Sequence, residues 1–171
     1  MTVQLRDATT EDLPAMLAIY NELIASTTIS WREAPQTFDE RRAWFAEQCR
    51  RDFVTLVAVA GGEVVGTTSY SDFRDSVHVP GYRFTAELSI HVRGDRRGQG
   101  IGRLLLEELM SRARRNGIHV LVAGVDADNT ESIRFHERVG FVEVARMPET
   151  GRKFGRWLDL VLMQRRLDPM G

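Results

Sequence analysis

A glycine-rich segment between a strand-like and a helix-like stretch constrains the fold of this chain more than any other feature. The segment DRRGQGIGRLLLEEL, at residues 95–109, places glycine at positions 98, 100 and 102. The stretch FTAELSIHV at residues 84–92 alternates as a strand does, whereas the apolar residues after the glycines recur at helical spacings. A strand, a turn and a helix in succession are typical of α/β folds. The turn amides and the helix N-terminus together predict an anion-binding site.

The motifs that this segment lacks narrow the identity of the anion. Three glycines leave room for a bulky phosphate group, and Arg96 and Arg97 supply positive charges next to it. A pyrophosphate is therefore the expected ligand. The dinucleotide-binding fingerprint requires a glycine where Arg103 stands, and a P-loop requires Lys and then Ser or Thr after Gly102. Neither motif matches. The plain alternative is a glycine-rich turn that only opens an ordinary helix.

The rest of the chain alternates between strand and helix patterns. Thr9 and Asp12, and again Thr37 and Glu40, have the spacing of a capping box ahead of a helix. Gly61-Gly62 indicates a hairpin between two strands. The predicted order is βααβββαβαββ, a mixed α/β sheet with packed helices in a single domain of residues 1–171. The predicted segments are the strand 3–8, a helix from Leu13, the helix 38–50, two strands within 53–71, the strands 84–92 and 117–125, the helix 129–138, and the strands 140–146 and 156–164.

Composition excludes several classes of function. The net charge of −1 provides no general basic field for nucleic acid or anionic membranes. No apolar run is long enough to span a bilayer, and the charged N-terminus does not resemble a signal peptide, so we expect a cytoplasmic protein. Cys49 is the only cysteine, and the four histidines show no metal-ligand spacing, so no internal disulfide and no metal are expected.

Two motifs together resemble the GCN5-related N-acetyltransferase (GNAT) family. Arg97, Gly100 and Gly102 fit R-x-x-G-x-G, and NTESIRFHERVGF at residues 129–141 fits the family's next motif at the expected separation. The resemblance extends over about residues 3–167. It implies a mixed, mostly antiparallel sheet with splayed central strands and flanking helices, and acetyl-CoA as co-substrate.

The resemblance also implies positions for the coenzyme. The amides of residues 98–103 would hold the pyrophosphate, and the neighbouring strand backbone would meet the pantetheine. Two residues of the second motif would line the coenzyme from the other side. The implied coenzyme-binding residues are Ile90, His91, Val92, Arg97, Gly98, Gln99, Gly100, Ile101, Gly102, Arg103, Asn129 and Ser132.

Further segments resemble one branch of this family, the phosphinothricin and methionine sulfoximine acetyltransferases. These segments are SDFR at 71–74, GYRFTAELSIHV at 81–92, GRKFGRWLDLVLMQ at 151–164 and TTISWREAPQT at 27–37. The branch acetylates the α-amino group of small amino acids with a tetrahedral polar head, such as phosphinothricin, methionine sulfoximine or methionine sulfone. The stretch between Phe73 and Glu87 is slightly longer than in that branch.

The proton acceptor is predicted from the strand at residues 84–92. An amine attacks a thioester only as the neutral base, so a group must take up its proton. The strand period places Thr85, Glu87, Ser89 and His91 on one face, and Glu87 is the only carboxylate among them. We therefore predict Glu87 as the base, directly or through water, with Leu88 and Ser89 lining the acceptor side. The structural alternative is a solvated glutamate or one paired with an arginine.

Two further kinds of residue are required: one that protonates or contacts the leaving thiolate, and cations that bind the anionic groups of the acceptor. His136 occupies the place where many relatives carry a tyrosine, and it is predicted as a general acid, as a contact of the coenzyme sulfur, or as a plain surface histidine. Arg74 and Lys153 are the best candidates for holding the acceptor's carboxylate and oxyanionic head, followed by Arg83 and Arg32. Surface charges are the alternative for each. Trp31 and Phe73 are predicted as pocket walls or as core.

The sequence thus indicates an acetyl-CoA-dependent amino-acid N-acetyltransferase, expected as a homodimer because such domains often complete a pocket across a two-fold axis. One alternative is acetylation of another small amine, a polyamine or an antibiotic, which would require an acidic pocket. A protein N-terminus also offers an α-amine. Another alternative is a non-catalytic sensor that binds acyl-CoA. The ionisable Glu87 argues against this function.

Overall fold

The computed structural model of the protein describes residues 2–167, and its strands join into one seven-stranded sheet. The elements follow the predicted order βααβββαβαββ, with three additional short 3-10 turns. The strands and helices are β1 (Val3–Asp7), α1 (Leu13–Ser26), α2 (Phe38–Arg50), β2 (Thr55–Ala60), β3 (Glu63–Asp72), β4 (Thr85–Val92), α3 (Ile101–Arg115), β5 (Val120–Asp126), α4 (Thr130–Arg138), β6 (Val142–Lys153) and β7 (Arg156–Arg166).

The sheet is opened in its middle. Its strand order is β1-β2-β3-β4-β5-β7-β6, and every neighbouring pair is antiparallel except β4 and β5. Those two parallel strands pair over three residues only, from Thr85 opposite Val120 to Glu87 opposite Val122. Beyond Glu87 they separate. The predicted mostly antiparallel sheet with splayed central strands is therefore confirmed.

The helices cover the two faces of the sheet. On β2, Val57 packs with α1 and α2, whereas Leu56 and Ala58 belong to the larger cluster built around α3. Val57 lies opposite Thr67, which lies opposite His91, and residues that lie opposite one another share a face of the sheet. Every second residue of β4 from His91 back to Glu87 therefore faces the α1–α2 side. The polar row of β4 therefore lies on the face of the sheet that α1 and α2 flank, and Ser89 within it remains exposed.

Both predicted capping boxes form. The Thr9 amide donates to Asp12 at 2.8 Å, and the Glu40 amide donates to the Thr37 hydroxyl at 3.2 Å. The Thr37 amide in turn donates to the Glu40 carboxylate at 2.7 Å. These contacts satisfy amides that a helix start otherwise leaves unpaired. Among residues 2–167, no helix combines the length and the apolar character required to cross a bilayer.

The hairpin of β6 and β7 is longer than the sequence predicts. The predicted strand 140–146 continues to Lys153, and the two strands meet at a tight turn of Phe154 and Gly155, both with positive φ. Pro148 and Gly151 are residues that usually interrupt strands. Here they are accommodated by register shifts, the second of which lies between Met147 and Gly151.

Candidate active site

Two cavities of about 420 and 370 Å³ adjoin where β4 and β5 separate. The larger is lined by the glycine turn and by α4, and the smaller by α1, α2 and the polar row of β4. Four residues line both: Ile29, Ile90, His91 and Ser132. A molecule in the larger cavity can therefore meet one in the smaller cavity across the open part of the sheet.

The glycine turn presents its backbone to the larger cavity. Gly98 and Gly100 have φ of +72° and +81°, in the left-handed region that favours glycine. A Cβ at either position would meet nothing within 4 Å. Among the described residues, the amides of Gly98, Gln99 and Gly100 donate to no backbone carbonyl. Gly100 is also the N-cap of α3, whose first amides lack intrahelical acceptors. The turn thus has the unpaired amides and the open backbone that an anion-binding site requires, and the anion itself stays a prediction.

Gly102 has a different role from the other two glycines. A Cβ at this position would lie 3.4 Å from the Phe135 ring and 3.7 Å from Val92. Gly102 therefore allows α3 to approach α4 and β4 closely. A side chain at Gly102 would therefore pack against protein atoms, whereas one at Gly98 or Gly100 would extend into open space, although all three glycines line the cavity.

The larger cavity contains nearly all of the predicted coenzyme-binding residues. Of the predicted set, only Gln99 is absent from the lining, and Arg97 and Arg103 are present. The sequence analysis missed Phe135 and Arg138, which α4 turns into the same cavity. The further lining residues are Leu23, Ile29, Arg96, Glu131 and Val139. The cavity is lined by four arginines and one glutamate, and this excess of positive charge favours an anionic ligand.

Glu87 lines the smaller cavity at the point where the strands separate. Its Oε1 lies 3.3 Å from the position that a Cβ of Gly124 would occupy, so the glycine on β5 leaves room for the carboxylate. Burial raises the pKa of Glu87 above its ordinary value, and no charged neighbour offsets this shift. Within residues 2–167 the carboxylate enters no ion pair, so it remains available to take up a proton. Leu88 and Ser89 line the same cavity, as predicted.

His91 lies on the wall between the two cavities and stacks against Tyr20, with 5.2 Å between ring centroids. Burial, and secondly the charges of Arg41 and Arg97, lower the pKa of His91 to about 4. The imidazole is therefore neutral at pH 7. It contributes an uncharged wall rather than a positive charge.

His136 is buried under aromatic rings rather than exposed on the helix surface. Its Nδ1 lies 2.8 Å from the carbonyl oxygen of Ser132, and because a carbonyl only accepts, Nδ1 carries the proton. Burial lowers the pKa of His136, so the ring is neutral and Nε2 is an acceptor. Nε2 is buried without a partner among the described residues, and the residue lines the smaller cavity. This arrangement favours a contact role over that of a general acid.

Lys153 does not reach either cavity, contrary to the expectation that it holds the acceptor. It is 2% exposed, and its ammonium donates to the carbonyls of Ile24, Thr27 and Ser30 at 2.7, 2.8 and 2.5 Å. These carbonyls belong to the last turn of α1 and the loop after it. All three ammonium protons are therefore used within the fold. Lys153 holds the loop that carries Ile29 and Ser30 to the cavities.

We expect Lys153→Met to lower the free energy of unfolding by about 3 kcal/mol, because three buried carbonyls lose a charged donor. Denaturant unfolding would measure this change. Arg152→Met is the matched control, since Arg152 is an exposed cation next to Lys153. Equal stability of the two variants would contradict the structural role of Lys153.

The structure does not bring the other predicted cations into the cavities either. Arg74 is exposed, with its guanidinium 5.6 Å from the Phe73 ring and 5.7 Å from the Tyr82 ring. Arg32 pairs with Glu40, and Arg83 lies over Phe84. Trp31 packs against Gly151, whose absent side chain makes room for it. None of these predicted residues lines the two cavities.

Two polar residues that the sequence analysis passed over do line the smaller cavity. Gln36 and Arg41 each have a buried side-chain atom, Oε1 and Nε respectively, without a hydrogen-bond partner in residues 2–167. Arg41 follows the four- and three-residue spacing of the buried α2 positions Phe45 and Gln48. That helical spacing indicates that Arg41 lies on the buried face of α2, but it does not indicate what the side chain meets there.

Two adjoining cavities, one lined by a glycine turn and four arginines and the other by a carboxylate, are the arrangement expected of an enzyme that brings an anionic coenzyme and an acceptor together. A family model described as the acetyltransferase (GNAT) family matches residues 16–141. The chain belongs to this family.

Individual relatives match over nearly the whole chain. An L-methionine sulfoximine/L-methionine sulfone acetyltransferase of Pseudomonas paraeruginosa is 47% identical, over 99% of this chain and 97% of the relative. The crystal structure of a phosphinothricin acetyltransferase of Sinorhizobium meliloti in complex with acetyl-CoA is 35% identical, with a TM-score of 0.92 over 98% of this chain and 89% of that one. The crystal structure of a ribosomal-protein-alanine N-acetyltransferase of Brucella melitensis is 44% identical, with a TM-score of 0.92 over 96% of this chain and 99% of that one.

Proposed function

We propose that this protein transfers the acetyl group of acetyl-CoA to the α-amino group of a small amino acid such as methionine sulfone, methionine sulfoximine or phosphinothricin. The observation that carries the proposal is the unpaired, partly buried Glu87 in a cavity that adjoins the glycine turn. The names of the relatives support the choice of acceptor.

The larger cavity fits the coenzyme by its chemistry. The positive-φ glycines and the free amides suit a pyrophosphate, and the surrounding arginines balance its charge. When bound, acetyl-CoA supplies an activated acetyl thioester. The open strand edge of residues 90–92 gives the pantetheine a route to the smaller cavity.

In the smaller cavity, Glu87 acts as the general base. Its carboxylate takes a proton from the acceptor's ammonium group, directly or through water, and the neutral amine is then free to attack. A C–N bond forms, the C–S bond breaks, and the coenzyme leaves as a thiol with one proton from the amine. No covalent intermediate on the protein is required. His136 Nε2 has no partner among residues 2–167, so its lone pair is available to accept a hydrogen bond from a bound ligand.

A screen of acceptors tests this proposal. Release of free thiol from acetyl-CoA would be measured with methionine sulfone, methionine sulfoximine, phosphinothricin, spermidine and a short peptide with an N-terminal alanine. We expect turnover with the three amino acids. Preference for spermidine would contradict the proposal, because the smaller cavity would then have to be acidic.

Peptide N-termini are the second candidate class of acceptor. The name of the Brucella melitensis relative favours them, since a ribosomal protein's N-terminal alanine also offers an α-amine. The peptide in the screen separates the two classes.

A homodimer and a cytoplasmic location belong to the same proposal. Large apolar side chains are exposed on the β6–β7 hairpin, which ends the sheet, and they supply a surface for a second copy. They are Val142, Val144, Met147, Phe154 and Trp157. The cytoplasm is where the acyl donor is available.

A further inference from the structure

Arg41 is a buried cation that lines the smaller cavity. It comes from α2, is 7% exposed, and lines the cavity together with Tyr20 and Trp44. Its Cζ lies 4.8 Å from the centroid of each of these rings. Two aromatic faces therefore fix the guanidinium in place without neutralising its charge.

No acidic group compensates Arg41. Within residues 2–167 it enters no ion pair, and its buried Nε has no hydrogen-bond partner. Burial lowers the pKa of Arg41, Tyr20 opposes part of this shift, the Arg32 charge adds to it, and no carboxylate contributes. By contrast Arg51, also largely buried, is paired with Asp72. Leaving a buried cation unpaired costs free energy, so such groups are typical of sites that await an anionic ligand.

The smaller cavity holds one further charged side chain, Glu87, which has the opposite sign. Glu87 and Arg41 form no salt bridge with each other, and neither influences the pKa of the other. Two opposite charges in one cavity, too far apart to pair, are complementary to a ligand that carries an ammonium group and a carboxylate on neighbouring atoms. A free α-amino acid is such a ligand.

We propose that Arg41 binds the α-carboxylate of the acceptor and thereby selects free amino acids over other amines. This inference rests on the proposed function. The heads of methionine sulfone and methionine sulfoximine are uncharged, whereas that of phosphinothricin is anionic. The α-carboxylate is the anion that all three share, and a planar guanidinium matches it through two parallel hydrogen bonds.

The test compares methionine sulfone with its α-carboxamide, which keeps the amine and the head but lacks the negative charge. For the wild-type protein we expect kcat/KM to be about a hundredfold higher for the acid. Arg41→Met should reduce kcat/KM for the acid to the value for the carboxamide and leave the carboxamide unchanged. Arg41→Lys should restore part of the preference. The KM for acetyl-CoA should not change in either variant.

Arg42→Met is the matched control, because Arg42 is the adjacent cation on α2 and is exposed beside Asp39. It should keep the full preference for the acid. Thermal unfolding shows whether the Arg41 variants are folded, and Arg41→Met should unfold at the wild-type temperature or above, since an unpaired buried charge is removed.

Three results would overturn the inference. One is a wild-type protein that uses the acid and the carboxamide equally well. Another is an Arg41→Met variant that is folded and loses activity equally on both acceptors, which would assign Arg41 to packing alone. The third is loss of the preference in Arg74→Ala but not in Arg41→Met. If the wild type acetylates none of the amino acids, the proposed function itself fails, and this outcome is distinct from the other three.

Discussion

Glu87→Gln is expected to lower kcat at pH 7 by about 10²- to 10⁴-fold, the range over which general-base assistance accelerates such reactions. Glutamine keeps the size of the side chain but cannot accept the amine's proton. Because Gly124 leaves space beside Oε1, the amide fits where the carboxylate was. Steady-state thiol release at saturating acetyl-CoA would measure the change. The affinity for acetyl-CoA should stay within about twofold, since Glu87 does not line the larger cavity.

The pH dependence follows from the direction of the Glu87 shift. Burial raises the pKa of Glu87, so below this raised pKa the side chain is protonated and cannot act as a base. Wild-type kcat should therefore fall as the pH decreases through that pKa and reach a plateau above it. In Glu87→Gln the rate should instead keep rising with pH, because only solvent deprotonation then provides the neutral amine. His91, with a pKa of about 4, does not titrate in the neutral range.

The control for this prediction is Glu63→Gln. Glu63 is an exposed carboxylate at the start of β3, it pairs with Arg93, and it lines neither cavity. It should keep wild-type kcat. A Glu87→Gln variant with wild-type turnover at pH 7 would remove Glu87 from the mechanism.

Gly100→Val is expected to weaken acetyl-CoA binding by about a hundredfold or more, corresponding to about 2.7 kcal/mol. Valine at a φ of +81° is strained, and its branched side chain would occupy the open space in which we place the pyrophosphate. The fold should survive because no protein atom lies within 4 Å of the new Cβ. Calorimetric titration with acetyl-CoA would measure the affinity.

Gly117→Val is the control that distinguishes two causes of weaker acetyl-CoA binding, a blocked cavity and a strained backbone. Gly117 also has a positive φ, +79°, and a Cβ there would also meet nothing within 4 Å, but it lines neither cavity. It should lose stability to a similar extent and keep its affinity for acetyl-CoA. If both variants bound acetyl-CoA as the wild type does, the glycines at 98 and 100 would only form a turn.

The order of the elements could be predicted because its signals are local. Capping boxes at Thr9 and Thr37, the Gly61-Gly62 hairpin and the apolar spacing after Gly102 each involve residues a few positions apart. The helix 38–50 begins and ends where predicted. The length of β6 could not be predicted in this way, since Pro148 and Gly151 are accommodated by a register shift between Met147 and Gly151 in the pairing with β7.

Parts of the site were also visible in the sequence. The alternation of β4 identified Glu87 as the carboxylate on a polar strand face, and the glycine pattern identified the turn. The predicted roles of these residues stay predictions until the variants are measured.

The sequence by itself determined the order of the strands and helices, the position of the glycine turn and the strand face on which Glu87 lies. Only the tertiary structure decided which cations line the smaller cavity. Lys153 and Arg74 were chosen by charge and motif, yet Lys153 donates to the carbonyl of Ile24, 129 positions away, and Arg74 remains at the surface. No motif singles out Arg41, yet the structure places it in the smaller cavity between Tyr20 and Trp44, without an ion pair among residues 2–167. The physical reason is that the partner of a charged side chain depends on which distant segments the sheet and its helices bring together, and sequence spacing carries no record of that.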